Sequence, residues 1–403
     1  MKKAFYGILI LVSMLAKKSM AQLTNTGQTL FLEDNSLLFV KDNFQHDAGE
    51  VTGSGIIELN GNWTNNSGGN VFGASSKVSV LLSGNAQTIG GGINGFYNLI
   101  LGGNGNKFVQ NDVFVLNTLS LQDRILNIAN NKLTVLNTAS SAIERSSGFI
   151  ETAENGSLMR NTNSTSAYLF PLGSTKDNPS YNAFSSTDIN PLYRPVYIEP
   201  EDAGNNSYSV NLINRDPDFQ YSRANKEKDI EKISNRYYYL LDHNSGTSKF
   251  NARFLQNKAV DNHAVIALWS STKSMWEKVP TGAEEGLLGD RLDRSLTFNS
   301  LPGMTNQVVS FASIPFIFFN AFSPDGDGKN DTWQIQNIEA YPNNTLIIFN
   351  RWGDEVFKTK GYSRSNAWDG ANLQPGTYFY VLNVNENGSM KTYKGFITMV
   401  KKN

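Results

Sequence analysis

The sequence predicts an all-β protein in three parts: an N-terminal β-solenoid-like region, a middle β-sandwich and a C-terminal Ig-like antiparallel β-sandwich. Three observations carry the prediction. The 403 residues include 49 Asn and 34 Gly, which favour turns and left-handed backbone over long helices. Apolar residues recur at a period of two in short runs broken by Gly and Asn, the pattern of strands with one buried face. Aromatic residues reach 11% while charged residues stop at 18%, so the chain can bury cores and does not read as disordered.

The same composition removes several classes of function. Lys and Arg number 35 against 36 Asp and Glu, a net charge of −1 with no overall field for nucleic acid or an anionic membrane. No nucleic-acid partner is expected. There is no cysteine, which excludes disulfide frameworks, thiol nucleophiles, cysteine zinc sites and lipid attachment at an N-terminal Cys. His46, His243 and His263 are far apart in sequence, which speaks against a histidine-rich metal site.

Residues 1–21 have the form of a secretory signal peptide. Lys2 and Lys3 precede an apolar run from Ala4 to Ala16, and Ser19 and Ala21 supply small residues before a cut ahead of Gln22. The run is shorter than the roughly 20 residues a spanning helix needs. Lys17 and Lys18, between run and cut, are atypical.

Residues 22–153 form the first region. Ile57 and Leu59, then Val78, Val80 and Leu82, then Tyr97, Leu99 and Leu101, and later Val113, Val115, Leu119, Leu121, Ile128, Leu133 and Val135 mark its strands. Clusters such as Gly102-Gly103-Asn104-Gly105-Asn106 break them. A stack of parallel coils and an antiparallel sandwich both fit this alternation, and the solenoid is preferred. The segments 83–90, 96–101 and 119–126 resemble those of adhesin-like β-helical ectodomains of Bacteroidetes surface proteins.

Residues 154–315 carry more charge, proline and aromatic residues. Strands are expected at Tyr168–Gly173 and Tyr193–Ile198, with edge prolines, and at Tyr237–Leu241, Ala252–Leu255, Val265–Trp269 and Val308–Ala312, enough for a sandwich. The mixed-sign stretch from Arg223 to Arg236 reads as a solvated loop or one short helix.

Residues 316–403 form the third region. Strand pieces at Leu346–Phe349, Val356–Phe357, Tyr378–Val384 and Lys394–Val400 alternate with Asp-Gly, Pro-Gly and Asn-Gly turns, which again suggests a compact sandwich. Trp333, Trp352 and Trp368 are expected to pack in its core or corners, with a carbohydrate-stacking platform as the alternative.

Here the sequence resembles a known family, the gliding-motility-associated C-terminal domain, which is the type B sorting domain of the type IX secretion system. The matching strings are Asn320 to Trp333, Tyr341 to Gly353, Trp368 to Gly370, Leu373 to Leu382 and Lys394 to Val400, in order. The family's motif falls on Asn320, Phe322, Ser323, Pro324, Gly326, Asp327, Gly328, Asn330 and Asp331. It continues on Asn350, Arg351, Trp352 and Gly353, on Trp368, Asp369 and Gly370, and on Pro375, Gly376, Tyr378, Lys394 and Gly395. Asp325 stands where many relatives have Asn. The resemblance implies a Bacteroidetes protein exported through the periplasm and then by the type IX translocon, with a PorP/SprF-type outer-membrane barrel as partner. It also implies a secreted or cell-surface product.

Asp325, Asp327 and Asp331 have the spacing of a calcium loop, with Ser323 and the Lys329 carbonyl at further ligand positions. The closing Glu of such a loop is replaced by Gln334, so the alternatives are a weak calcium site and an Asx-rich turn without an ion; the turn is preferred. No other cofactor is expected. Gly-x-Ser-x-Gly and His-Glu-x-x-His are absent, and the acids Glu50, Glu58, Asp112, Asp123 and Glu144 are scattered, so an enzyme is not expected. The functional expectation is an adhesin-like or gliding-associated surface protein with a glycan or protein ligand. The alternative is a secreted glycan-binding or polysaccharide-degrading module, for which Trp269, Trp276 and Glu277 are the one hint.

Overall fold

The computed structural model describes residues 22–176, 192–257, 261, 263–288, 290, 292–301, 305–370, 372–386 and 389–400. The signal-peptide reading of residues 1–21 lies outside them.

The N-terminal region is a solenoid of seven coils. One face stacks the strands Leu23–Leu32, Phe44–Gly53, Trp63–Asn65, Gln87–Gly91, Lys107–Val109, Ile125–Ala129 and Phe149–Thr152. The other stacks Leu37–Val40, Ile56–Leu59, Ser79–Leu82, Asn94–Leu101, Val113–Ser120, Lys132–Val135 and Ser157–Thr162. Pairing is parallel within this stack. Leu38 lies beside Ile57, Ile57 beside Val80, Val80 beside Leu99 and Leu99 beside Leu119. Period-two alternation could not choose between coil and hairpin; this parallel register does.

Each coil contributes its alternate apolar residues to one interior. Ile57, Val80, Leu99 and Leu119 are fully buried. Rings stack through the coils, with Phe44 4.5 Å from Trp63 and Trp63 5.3 Å from Phe96. Tight turns hold the coils together. Gly103 has φ +63°, and a Cβ there would stand 2.1 Å from the Ser83 carbonyl oxygen in the coil before it.

Polar groups inside the stack satisfy the backbone at its corners. The buried Gln87 donates to the carbonyls of Leu59 (2.8 Å) and Gly61 (2.5 Å). Buried Lys107 donates to the Gly84 and Asn85 carbonyls and to Gln87 Oε1. Burial, helped by the Arg124 charge, lowers the Lys107 ammonium to about 8.

Parallel pairing runs past residue 153 into Ser157–Thr162, and there the direction changes. That strand pairs in parallel with Lys132–Val135 and, on its other side, antiparallel with Asn206–Ile213. The sheet continues antiparallel through Tyr238–Ser245, Gln307–Ser313, Val265–Ser270 and Met275–Lys278. Against it lies a second sheet in the order Tyr168–Phe170, Val196–Pro200, Phe250–Gln256, Arg294–Leu301 and Gly282–Glu285. Phe254 joins the layers, 5.0 Å from Tyr239 and 5.5 Å from Phe311. The charged stretch 223–236 forms no helix; Lys232–Ile233 pairs briefly with Ala312 and Ser313. Buried Arg160 donates to the carbonyls of Ala139, Ser140 and Leu169, tying the last coil to the sandwich.

The C-terminal region has one five-stranded sheet, ordered Ala321–Phe322, Ser389–Met399, Gly376–Glu386, Asn344–Phe349, Glu355–Lys360. It is antiparallel except at Ala321–Phe322, which runs parallel to Thr398–Met399. A short antiparallel pair, Ile317–Phe318 with Ile335–Gln336, covers part of its inner face, and Phe318 stacks on Tyr380 at 5.1 Å. The region is docked on the middle sandwich. Tyr341 Oη donates to the Ile314 carbonyl and accepts from the Ile314 N–H, both at 3.1 Å, and Arg294 donates to the Ala340 carbonyl at 2.7 Å.

Candidate functional site

The motif residues of the C-terminal region divide into those that build its core and those that shape its turns. Phe322, Trp333, Trp368 and Tyr378 are buried. Trp368 lies 5.1 Å from both Phe322 and Tyr378. The Trp333 amide donates to the Trp368 carbonyl at 2.7 Å. Gly370 has φ +76°, and a Cβ there would stand 2.3 Å from Met399 Sδ, so a side chain at this corner would have to displace Met399 and take up strained backbone. Asp369 and Pro375 are exposed beside it, and Gly376 opens the long strand that follows.

Asn350 organises the 350–354 turn. Its Oδ1 accepts from the amides of Trp352 (2.9 Å) and Asp354 (3.0 Å), and its Nδ2 donates to Asp354 at 2.9 Å. Gly353 completes the turn at φ +91°. This geometry corrects the expectation for Trp352. The ring is 73% exposed, with the Arg351 guanidinium 4.3 Å over its face, because the turn throws both side chains outward. Trp333 and Trp368 do pack as expected.

The 323–331 loop brings Asp325, Asp327 and Asp331 together, with one ligand atom from each within 4.8 Å of the others. The loop also uses these carboxylates itself. Asp331 accepts from the amides of Gly326 (2.7 Å) and Gly328 (2.8 Å), Asp325 from Asp327 (3.2 Å) and Asp327 from Lys329 (2.8 Å). Gly326, Gly328 and Asn330 all have positive φ. Ser323 closes the loop through its amide on the Asn330 carbonyl, with Pro324 inside the loop and Asn320 ahead of it. Asp331 thus has both carboxylate oxygens on amides, and Asp325 and Asp327 one each, so a calcium ion here would have to share the Asp331 oxygens with the loop's own backbone.

Trp269 and Trp276 are cross-strand partners 5.5 Å apart, and Trp276 is fully buried, so the pair is packed into the middle sandwich. Glu277 pairs with Lys273. That sandwich also holds an ion cluster with no signature in the sequence pattern. Asp261 accepts from Arg194 at 3.0 Å and from Arg236 at 2.9 Å, all buried. Burial opposes ionisation of Asp261, but the two guanidiniums outweigh it and hold its carboxyl below the ordinary value. His263 stacks on Phe311 at 5.0 Å and is pushed down to about 3, chiefly by burial.

Motif and fold together describe a terminal all-β domain that serves as an export address. Residues 316–399 match the family model of the CHU_C Type IX secretion signal domain. The C-terminal region is thus a type B sorting domain of type IX secretion, and it directs export to the cell surface or the extracellular space. No curated protein and no solved structure matches the chain.

Proposed function

We propose that this is a Bacteroidetes surface protein whose solenoid and middle sandwich form a non-enzymatic, adhesin-like binding ectodomain. Its route is the signal peptide at 1–21, the periplasm, and then the type IX translocon with a PorP/SprF-type barrel. The observation that carries the reading is the sorting domain at 316–399, joined to a seven-coil stack. A parallel stack offers a long, repetitive surface for a glycan or protein ligand. Its outer face carries exposed Leu37 and Phe39, with Ile56 beside Leu37. Asp261 and His263 have structural partners in the sandwich core, Asp261 with Arg194 and Arg236 and His263 stacked on Phe311, which fits a non-enzymatic role.

Deleting residues 316–403 tests the export route. The remainder should accumulate in the periplasm, protected from protease added to intact cells. Protection equal to that of the intact chain would overturn the proposal. Loss of cell attachment to a polysaccharide surface, without breakdown of that polysaccharide, would separate the adhesin reading from a degrading module.

A further inference from the structure

The outer face of the sorting sheet, opposite its core, carries a row of aromatic side chains across three strands. Phe349 pairs with Phe379, and Phe379 pairs with Phe396. Phe379 is 47% and Phe396 55% exposed, although Leu346, Ile348, Tyr380 and Leu382 on the same strands are buried on the inner face. Trp352 lies in the turn that leaves the Phe349 strand and is more exposed still. The neighbouring row reads Lys358, Ile347, Val381, Lys394, so a lysine closes it at either end. Beyond it come Lys360, Thr345, Asn383 and Thr392. The single acid in these three rows, Glu355, sits 3.7 Å from Lys358.

Exposed aromatics at the centre of a face with a polar, charged rim are the composition of a protein-binding patch. Folding does not require this row, because the domain's core lies on the opposite face. Among the described residues, the middle sandwich bonds to the domain through Ile314, Arg294 and Glu231, away from the exposed rings of the row.

We propose that this row is the surface by which the sorting domain is read, and that its occupant is an apolar, carboxylate-bearing surface of a type IX secretion protein. The proposal rests on the sorting-domain reading. The lysines fix the sign of the occupant's charge. The Thr–Asn–Thr row supplies directional hydrogen-bond partners suited to a protein surface.

The test uses the full-length chain in a bacterium with type IX machinery. Phe379→Thr with Phe396→Thr keeps strand preference while removing the rings. Lys358→Glu with Lys394→Glu leaves the rings and reverses the rim. Both variants should melt like the unaltered protein, and surface-exposed protein should fall at least ten-fold in the first and clearly in the second. Phe108→Thr, at an exposed ring on the solenoid, should export normally. If the phenylalanine pair lowers the melting temperature, the lysine pair alone decides.

Normal export of the lysine pair, or of a stably folded phenylalanine pair, with retention of the chain lacking 316–403, would overturn the docking face and leave the sorting reading standing. Export of the truncated chain would overturn both. Binding of purified protein to phosphatidylglycerol vesicles that the phenylalanine pair abolishes, with export unchanged, would assign the row to a membrane and overturn the proposal.

Discussion

Tyr380 and Gly395 face each other across the two long strands of the sorting sheet, and the phenol ring fills the space that a side chain at 395 would need. A Cβ there would stand 2.6 Å from the phenolic oxygen and 2.7 Å from Cε1. Tyr380 cannot yield, because Trp333 packs 4.9 Å away on one side and Phe318 5.1 Å away on the other. Gly395→Ala should therefore lower stability by about 1–3 kcal/mol through overpacking. Denaturant unfolding of the full chain checks this, and an unchanged midpoint would mean that the ring moves freely.

In the solenoid, Leu99→Ala should cost about 2–5 kcal/mol, the range for a buried leucine. Its neighbour Asn98 faces outward, yet its side chain is bonded to the coils on either side. Asn98 Nδ2 donates to Ser79 at 2.9 Å, and its Oδ1 accepts from Asn117 Nδ2 at 2.8 Å, while Asn137 Nδ2 reaches Asn117 at 3.2 Å. This ladder ties four successive coils on the outside. Asn98→Ala should cost about 1 kcal/mol, measured by thermal unfolding beside the leucine variant.

Acid should weaken the middle sandwich through His263. Its folded value is about 3 against 6.5 for the free side chain. Between those limits the unfolded chain takes up a proton that the folded chain refuses, so stability is full above 6.5 and falls as the pH drops toward 3. The slope is at most about 1.4 kcal/mol per pH unit from this group. His46, lowered by burial in the solenoid strand Phe44–Gly53, gives that region an acid sensitivity of the same sign. His263→Gln should flatten the acid limb of a stability–pH curve; an unchanged limb would place the acid sensitivity elsewhere.

Asp331→Ala should destabilise the 323–331 loop with or without calcium, since it strips partners from the amides of Gly326 and Gly328. The expected cost is about 1 kcal/mol. Melting temperatures of the unaltered protein in calcium and in chelator should coincide. A shift of many degrees on chelation would show that an ion holds the loop.

The sequence made the strands legible because burying every second residue imposes a period on apolar side chains, as at Val78, Val80 and Leu82. It did not reveal direction, since parallel coils and antiparallel hairpins bury the same alternation. The sorting motif was legible from its fixed Gly, Pro and Trp-Gly turns. The role of Trp352 was not, because only the hydrogen bonds of Asn350 turn that ring outward while Trp333 and Trp368 turn inward. The Asp261 cluster escaped for a related reason: Arg194, Arg236 and Asp261 are scattered along the chain and meet only when the two sheets close. The aromatic row was equally hidden, since Phe349, Phe379 and Phe396 become neighbours only through strand register.

The reversal of strand direction at Ser157–Thr162 also decides how such a chain can vary in size. There the antiparallel neighbour Asn206–Ile213 occupies the next position in the stack, so no further coil can be added at that end. At the other end, Leu23–Leu32 and Leu37–Val40 each have a neighbour on one side only among the described residues. Whole coils can be gained or lost there, each changing the reach by one strand spacing, about 4.8 Å. The solenoid is in this sense an adjustable spacer, with its length set far from the domain that carries the export address.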